Sequence, residues 1–195
     1  MHNRINHQRL ADAFAFAASA HAGQPRKGTT IPYVSHLMSV SALVLEHGGD
    51  EDQAIAGLLH DVIEDCGAAY EPIIREQFGE RVTRIVRACT DADTIPKPPW
   101  QQRKATYLQH LEQEGPEVLL VSACDKLHNA RAIVSDQHAI GATVFKRFSA
   151  TQAQVLWYYE SLAGIYLARL PGRLADEVAR SVDQMHALAG ASRAL

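Results

Sequence analysis

The sequence contains few cysteines, and no two of them form a Cys-x-x-Cys pair. Cys66, Cys89 and Cys124 are odd in number and irregularly spaced. This pattern argues against a disulfide framework and against a cysteine-rich structural zinc site. A reducing cytosol suits such a chain better than an oxidising compartment.

Long apolar runs are also missing. No stretch approaches the roughly 20 apolar residues that a membrane-spanning helix needs. Residues 1–7 contain no apolar core of the kind found in a signal peptide. We therefore expect a soluble, cytoplasmic protein without a membrane partner.

Neither sign of charge dominates the chain. Lysine and arginine together number 19, and aspartate and glutamate number 22, which gives a net charge of −3 with histidine neutral. Without a basic excess there is no global electrostatic case for nucleic acid, and we expect no nucleic-acid partner. Ten histidines among 195 residues are a generous supply, which suits metal or phosphate chemistry.

Period-two strand patterns, internal repeats and low-complexity tracts are absent, whereas apolar residues recur at helical spacing. We expect an all-α protein, a single domain over residues 1–195. Ser35 and Asp50 are the expected N-caps of the second and third helices. The predicted helices cover about residues 10–22, 35–47, 50–67, 70–78, 80–90, 101–112, 116–135, 149–169 and 173–189.

Two further segments are described by their composition or position. Three prolines within residues 94–99 preclude a helix interior there, and the sequence assigns this loop no role. The helices after residue 149 could complete the core or form a face for a second copy, so a homo-oligomer stays open.

The segment 58–66 places polar groups inside an apolar helical pattern. His60 and Glu64 are four residues apart, as are Asp61 and Asp65. Residues at this spacing are neighbours on a helix surface, so we expect all four side chains in one sector. Burying three carboxylates and an imidazole is costly unless a cation or paired hydrogen-bond donors compensate, and a divalent metal with a reactive water is the simplest compensation.

Further ligands should come from other helices. His36 stands near the start of the second helix, and Asp125 interrupts an apolar helix. Together with His60 and Asp61 they would supply two nitrogen and two oxygen ligands. Such a set suits manganese, iron or zinc better than calcium and leaves coordination positions for water.

The order His36, His60-Asp61, Asp125 resembles that of the HD-domain metal-dependent phosphohydrolases. The chain is also similar to the hydrolase domain of the RelA/SpoT homologues, particularly the small alarmone hydrolases, over about residues 9–135. Leu37 and Cys66 depart from the residues common in that family, but neither departure removes a ligand or a carboxylate. The matching motifs are Arg26-Lys27-Gly28-Thr29, Pro32-Tyr33 with His36, Leu58 to Asp65, Phe78-Gly79 with Val82, Arg103-Lys104, and Asp125-Lys126-Leu127-His128-Asn129.

This resemblance implies an HD-domain helical bundle that removes pyrophosphate from the 3′ position of a nucleotide alarmone, turning (p)ppGpp into GDP or GTP. It implies that Glu64 and Asp65 act on the attacking water. It implies one manganese ion, or another divalent transition metal, held by His36, His60, Asp61 and Asp125.

The resemblance also implies substrate contacts. Arg26 and Lys27 would hold phosphates or the base, and Asn129 would meet the ribose. Arg103 and Lys104 are expected to add to a phosphate pocket, because Arg and Lys offset the crowded charge of a pyrophosphate. Tyr107, one turn later, is a further expected member of this pocket.

Other functions fit the same residues. The substrate could be an adenosine alarmone, NADPH or a nucleoside monophosphate, because no residue in the sequence identifies the group that meets the base edge. A catalytically idle domain that senses alarmones is the alternative outside the enzymes, although a sensor has no need for the full set of ligands and carboxylates. His128 is expected to be structural.

Overall fold

The computed structural model describes residues 5–94 and 96–191, and within them the chain is helical. The all-α prediction is confirmed: the one extended pairing in these residues is an isolated antiparallel bridge between Pro25 and Pro32. No helix in this part of the chain is long and apolar enough to cross a membrane. The α-helices are α1 (His7–Ala20), α2 (Val34–Glu46), α3 (Glu51–Leu59), α4 (Tyr70–Phe78), α5 (Glu80–Cys89), α6 (Trp100–Leu111), α7 (Pro116–Ile140), α8 (Gln152–Arg169) and α9 (Arg173–Ala191).

The long helix α7 lies at the centre of the packing. It contacts α2, α3 and α5 on one side and α8 and α9 on the other. Leu119 and Leu127 of α7 are buried, as are Leu37 of α2 and Leu59 of α3. Tyr166 of α8 is also fully buried, so the helices after residue 149 pack onto the same core. A short 3₁₀ segment, Gly141–Arg147, joins α7 to α8.

The starts of α2 and α3 differ in how they are capped. The Asp50 carboxylate accepts a hydrogen bond from the backbone N–H of Gln53, and the side-chain oxygen of Gln53 accepts one from the backbone N–H of Asp50, which completes a capping box for α3. The expectation that Ser35 caps α2 is wrong. Tyr33 already has helical backbone angles, so Ser35 lies within the first turn and its hydroxyl donates to the Pro32 carbonyl at 2.8 Å.

The sequence predicted one continuous helix through the polar motif, over residues 50–67. The structure shows an interruption instead. Helix α3 ends at Leu59, and residues Val62–Cys66 form a π-helical turn that ends at Gly67, whose φ is +111°. Wider turns of this kind occur often at functional sites. The turn keeps Val62 and Ile63 in the core while it changes the direction of the acidic side chains.

Candidate active site

Four side chains converge where α2, α3 and α7 meet. His36 lies in the first turn of α2, His60 and Asp61 follow α3, and Asp125 lies within α7. Nε2 of His36 is 3.2 Å from Oδ1 of Asp125 and 3.6 Å from Oδ2 of Asp61. Nε2 of His60 is 3.0 Å from Oδ2 of Asp61 and 3.5 Å from Oδ1 of Asp125. The structure thus brings all four predicted metal ligands together.

The orientation of His60 suits metal binding. Its Nδ1 lies 2.9 Å from the carbonyl oxygen of Gly57, so the N–H of that atom donates to the backbone and Nε2 points at the carboxylates. Nε2 is buried and makes no hydrogen bond of acceptable direction, although Asp61 is close. A buried ring nitrogen that has no hydrogen-bond partner and faces carboxylates is an arrangement that a bound cation satisfies, so the residues present fit a divalent metal.

The charges of the cluster also call for a cation. Burial raises the pKa of Asp125, but Lys126 and His60 outweigh it and hold this pKa well below its usual range. Burial likewise raises the pKa of Asp61, and His60 again reverses the effect. For His60, burial lowers the pKa, but Asp61 and Asp125 raise it well above the ordinary value. Two buried carboxylates therefore draw positive charge to this point.

Glu64 and Asp65 both line a cleft of about 750 Å³. Glu64 Oε1 pairs with Lys97 Nζ at 2.8 Å, and Glu64 Oε2 accepts from the backbone N–H of Asp91. Asp65 is exposed and accepts from Gln24 Nε2 at 2.9 Å. The expectation that all three carboxylates of the motif are buried in one sector is wrong for Asp65, because the π-helical turn directs it to the rim.

A row of cationic side chains lines the same cleft: Lys97, Arg103, Lys104 and Lys126. Arg103 and Lys104 both pair with the carboxylate of Asp91, which is almost fully buried. Lys104 Nζ also lies 4.7 Å from the centre of the Tyr158 ring. The structure therefore places Arg103 and Lys104 at the cleft, with their side chains already held by a carboxylate and an aromatic ring.

Lys27 and Asn129 also line the cleft, whereas Arg26 lines a neighbouring cavity. Arg26 Nη2 donates to Asn129 Oδ1 at 2.8 Å, and Asn129 Nδ2 donates to Asp125 Oδ1 at 2.6 Å. A second cavity of about 360 Å³ adjoins the cleft here, and Lys27, Tyr33 and Asn129 line both. These hydrogen bonds connect the metal-ligand cluster to the second cavity.

Tyr107 does not line the cleft, contrary to expectation. Its ring is buried, and its hydroxyl lies 2.9 Å from that of Ser122, which in turn lies 2.7 Å from the hydroxyl of Tyr166. Burial raises the pKa of Tyr107 well above its usual value. The apolar face of α6 packs Tyr107 into the core together with Leu108 and Leu111, which removes it from the pocket.

Sequence reasoning missed four residues around the cluster. The Tyr33 hydroxyl donates to Asp61 Oδ2 at 2.5 Å, and Lys126 pairs with Asp125. The carboxylate of Asp91 forms ion pairs with Arg103 and Lys104. His128 lies against His36, and burial together with His36 and Arg26 lowers the pKa of His128 to about 4. Helical spacing was an available signal for two of them, since Tyr33 is three residues before His36 and His128 is three after Asp125.

Comparisons with known proteins agree with this geometry. A family model described as the HD domain matches residues 13–153. The guanosine-3′,5′-bis(diphosphate) 3′-pyrophosphohydrolase of Aquifex aeolicus is 35% identical over 126 residues, which cover 65% of this chain but 18% of that protein. MESH1 of Xenopus tropicalis, which carries the same description, is 36% identical over 125 residues, covering 63% of this chain and 68% of that protein.

A solved structure is similar over nearly the whole chain. It belongs to a metazoan orthologue of SpoT that is described as hydrolysing ppGpp, and it matches with a TM-score of 0.74 at 25% identity, covering 90% of this chain and 94% of that one. An HD domain implies a divalent metal, in agreement with the converging atoms of His36, His60 and Asp125, which all lie within 4.8 Å of one another. With more than half of its residues matched by the family model, the chain belongs to the HD-domain family.

Proposed function

We propose that this chain is a manganese-dependent 3′-pyrophosphohydrolase of guanosine alarmones, which converts (p)ppGpp and water to GDP or GTP and pyrophosphate. One observation carries the proposal: a largely buried two-imidazole, two-carboxylate cluster adjoins a cleft lined by five cationic side chains, Lys27 among them, and two further carboxylates. Relatives described as guanosine-3′,5′-bis(diphosphate) 3′-pyrophosphohydrolases support the choice of reaction.

We assign the metal to the converging cluster, with one Mn²⁺ held by His36, His60, Asp61 and Asp125. When bound, the ion supplies a water of lowered pKa and polarises a phosphoryl oxygen. Tyr33 and Asn129 donate to oxygens of the two ligand carboxylates, which fixes the direction of each. Burial and the nearby Asp61 raise the pKa of Tyr33, so its hydroxyl remains a donor.

Glu64 and Asp65 act on the attacking water in this proposal. Both line the cleft, and each accepts a hydrogen bond from a side chain that a substrate or a water can replace: Lys97 for Glu64 and Gln24 for Asp65. One carboxylate accepts a proton from the water while the other orients it. The water oxygen bonds to the phosphorus attached to the ribose 3′ oxygen, and that oxygen leaves with a proton as pyrophosphate is released.

The cationic row binds the pyrophosphate. Arg103 and Lys104 are held by Asp91, so little side-chain freedom is lost when a phosphate arrives. Arg26 and Lys27 line the second cavity next to Asn129; in this proposal they hold phosphates or the base, and Asn129 meets the ribose. The two cavities, about 750 and 360 Å³, are within the size range of sites for small molecules.

We further propose that the protein acts in the cytoplasm. Cys66, Cys89 and Cys124 are all free thiols, as a reducing compartment maintains them. That the protein has no nucleic-acid partner stays a prediction. A homo-oligomeric state stays a possibility to be tested. Light scattering after size-exclusion chromatography would test the second.

The test is release of pyrophosphate from ppGpp by the purified protein with Mn²⁺. We expect turnover by the unmodified protein, and loss of at least about a thousandfold in a variant with Glu64→Gln and Asp65→Asn. Glu76→Gln with Asp183→Asn is a matched control, because these two carboxylates are exposed and lie outside the cleft. Normal hydrolysis by the Glu64/Asp65 variant would show that the catalytic assignment is wrong.

A substrate panel tests the nucleotide. We expect ppGpp to be hydrolysed with a higher kcat/KM than ppApp or NADPH. A clear preference for ppApp or NADPH would overturn the guanosine assignment while leaving the hydrolase intact. Tight binding of unchanged ppGpp with Mn²⁺, without turnover of any substrate, would instead identify a sensor.

A further inference from the structure

His128 makes a direct contact with a residue of the metal-ligand cluster. It lies on α7, one turn after Asp125, and its Nδ1 is 2.8 Å from Nδ1 of His36. The two ring centres are 4.8 Å apart. The side chain of His36 is only 1% exposed, so water is a poor alternative partner for its Nδ1.

The contact between the two rings has chemical consequences. Two imidazole nitrogens at hydrogen-bond distance share one proton, so one nitrogen donates and the other accepts. If Nδ1 of His36 donates, Nε2 of the neutral ring carries a lone pair directed at Asp61 and Asp125. If Nδ1 accepts, Nε2 carries the proton and cannot bind a metal.

His60 shows what His36 requires. The Nδ1–H of His60 donates to the backbone carbonyl of Gly57, an acceptor that cannot become a donor. For His36, the hydrogen-bond partner of Nδ1 is the His128 ring. The tautomer of one histidine is therefore fixed by the backbone and that of the other by a side chain.

We propose that His128 is a positioning residue that accepts the Nδ1–H of His36 and so holds Nε2 of His36 ready for the metal. The proposal rests on the proposed function in one respect, namely that His36 is a metal ligand. Outer hydrogen-bond partners of metal-binding histidines typically change metal affinity about 10- to 100-fold when they are removed. His128 touches neither the cluster carboxylates nor the cationic row, so its effect should appear in metal affinity.

The test is a titration of the metal-free protein with Mn²⁺, in which the electron paramagnetic resonance signal of free Mn²⁺ gives the Kd. We expect His128→Phe, which removes the acceptor, to raise the Kd about 10- to 100-fold. His128→Asn places an amide oxygen near the former Nδ1 position and should restore affinity to within a few-fold of the unmodified protein. His128→Leu is a second acceptor-free variant should the phenylalanine not fit.

The controls separate this inference from the proposed function. His138→Phe makes the same change at an exposed position of the same helix and should leave the Kd unchanged. If His128→Phe and His128→Leu bind Mn²⁺ as the unmodified protein does, the positioning role is wrong. The positioning role would also be wrong if His128→Phe raises the Kd and His128→Asn raises it equally. If His36→Ala binds Mn²⁺ normally, the ligand set itself fails, and the role of His128 fails with it.

Discussion

At the scale of single residues, the two carboxylates of the cluster, Asp61 and Asp125, each accept a hydrogen bond from a neutral side chain. The Tyr33 hydroxyl donates to Asp61, and the Asn129 amide donates to Asp125. Neither of these donors brings a charge, so each orients a carboxylate without neutralising it. Lys126 is different, because its ammonium group pairs with Asp125 and offsets part of the negative charge of the cluster.

Replacement of Tyr33 with phenylalanine tests this support. We expect Tyr33→Phe to weaken Mn²⁺ binding about 10-fold, because Asp61 loses the donor that fixes its direction. The free energy of unfolding should change by no more than about 1.5 kcal/mol, the usual contribution of one hydrogen bond. Binding would be measured by calorimetry and stability by urea unfolding.

Tyr70→Phe is the matched control for this change. Tyr70 packs edge-on against Phe16 at 5.9 Å and makes no contact with the cluster. Unaltered Mn²⁺ affinity in Tyr33→Phe, or an equal loss in both variants, would show that the hydroxyl of Tyr33 does not orient a ligand.

The convergence of His36, His60, Asp61 and Asp125 was predictable because their order along the chain resembles that of a known family. The contact between His128 and His36 was not, because it joins α7 to α2 and depends on how the two helices are rotated. Tyr107 was misplaced for a related reason. Spacing along α6 does not reveal which side chains of successive turns face the core and which face a cleft.

At the scale of elements, the π-helical turn after α3 decides where the acidic residues point. The turn ends at Gly67, whose φ of +111° and ψ of 157° belong to a backbone region that is essentially limited to glycine. The sequence could not show this turn, because its four-residue spacing equally fits an uninterrupted α-helix. In the folded protein, Val62 and Ile63 are buried in the core, and the π-helical turn is compatible with that burial.

Gly67→Ala is expected to destabilise the fold and the site together. No atom lies within 4 Å of the added carbon, so the effect is backbone strain alone, about 1–3 kcal/mol in urea unfolding. The kcat should fall as well, because the strained turn carries Glu64 and Asp65. Gly164→Ala, at an open helical position of α8, should instead stabilise by about 0.5–1 kcal/mol. Equal effects of the two substitutions would refute the special role of Gly67.

The capping box of α3 predicts a pH dependence of stability. Burial raises the pKa of Asp50, but hydrogen bonds from Arg81 and from the Gln53 backbone outweigh it and lower this pKa below its ordinary value of 3.8. A lowered carboxyl pKa stabilises the fold above the unfolded value, and this contribution is lost as the pH falls through the folded value. The contribution of the α3 cap to the free energy of unfolding should therefore decrease at acidic pH.

Asp50→Asn isolates this effect, because asparagine keeps the cap but cannot ionise. We expect the variant to be less stable than the unmodified protein by up to about 1 kcal/mol at pH 7, since the Arg81 ion pair is partly exposed. The difference should vanish as the pH falls below 3.8. Unfolding in urea at several pH values measures it, and a difference that stays constant from pH 7 to 3 would contradict the assignment.

At the scale of the whole molecule, the cluster ties together helices that are distant in sequence. His36 comes from α2, His60 and Asp61 from the end of α3, and Asp125 from α7. These helices also form the centre of the apolar core. Occupation of the cluster should therefore stabilise the entire fold, because an unfolded chain cannot present the ligands together.

Metal addition and removal test this coupling. At a free Mn²⁺ concentration 100 times the Kd, we expect the free energy of unfolding to rise by about 2.7 kcal/mol, and a chelator should reverse the gain. Calcium at the same concentration should have a smaller effect, because imidazole nitrogens suit transition metals better. The rise should be absent in His60→Ala. If Mn²⁺ raises the free energy of unfolding of His60→Ala as much as that of the unmodified protein, the metal binds at a different site.

In the proposed reaction, water attacks the phosphorus attached to the 3′ oxygen, and the position of the new bond can be measured. Hydrolysis of ppGpp with Mn²⁺ in ¹⁸O-labelled water, followed by mass spectrometry of both products, locates the new bond. We predict one ¹⁸O atom in the released pyrophosphate and none in GDP. Label in the nucleotide, release of single phosphates, or no hydrolysis of ppGpp would contradict the account.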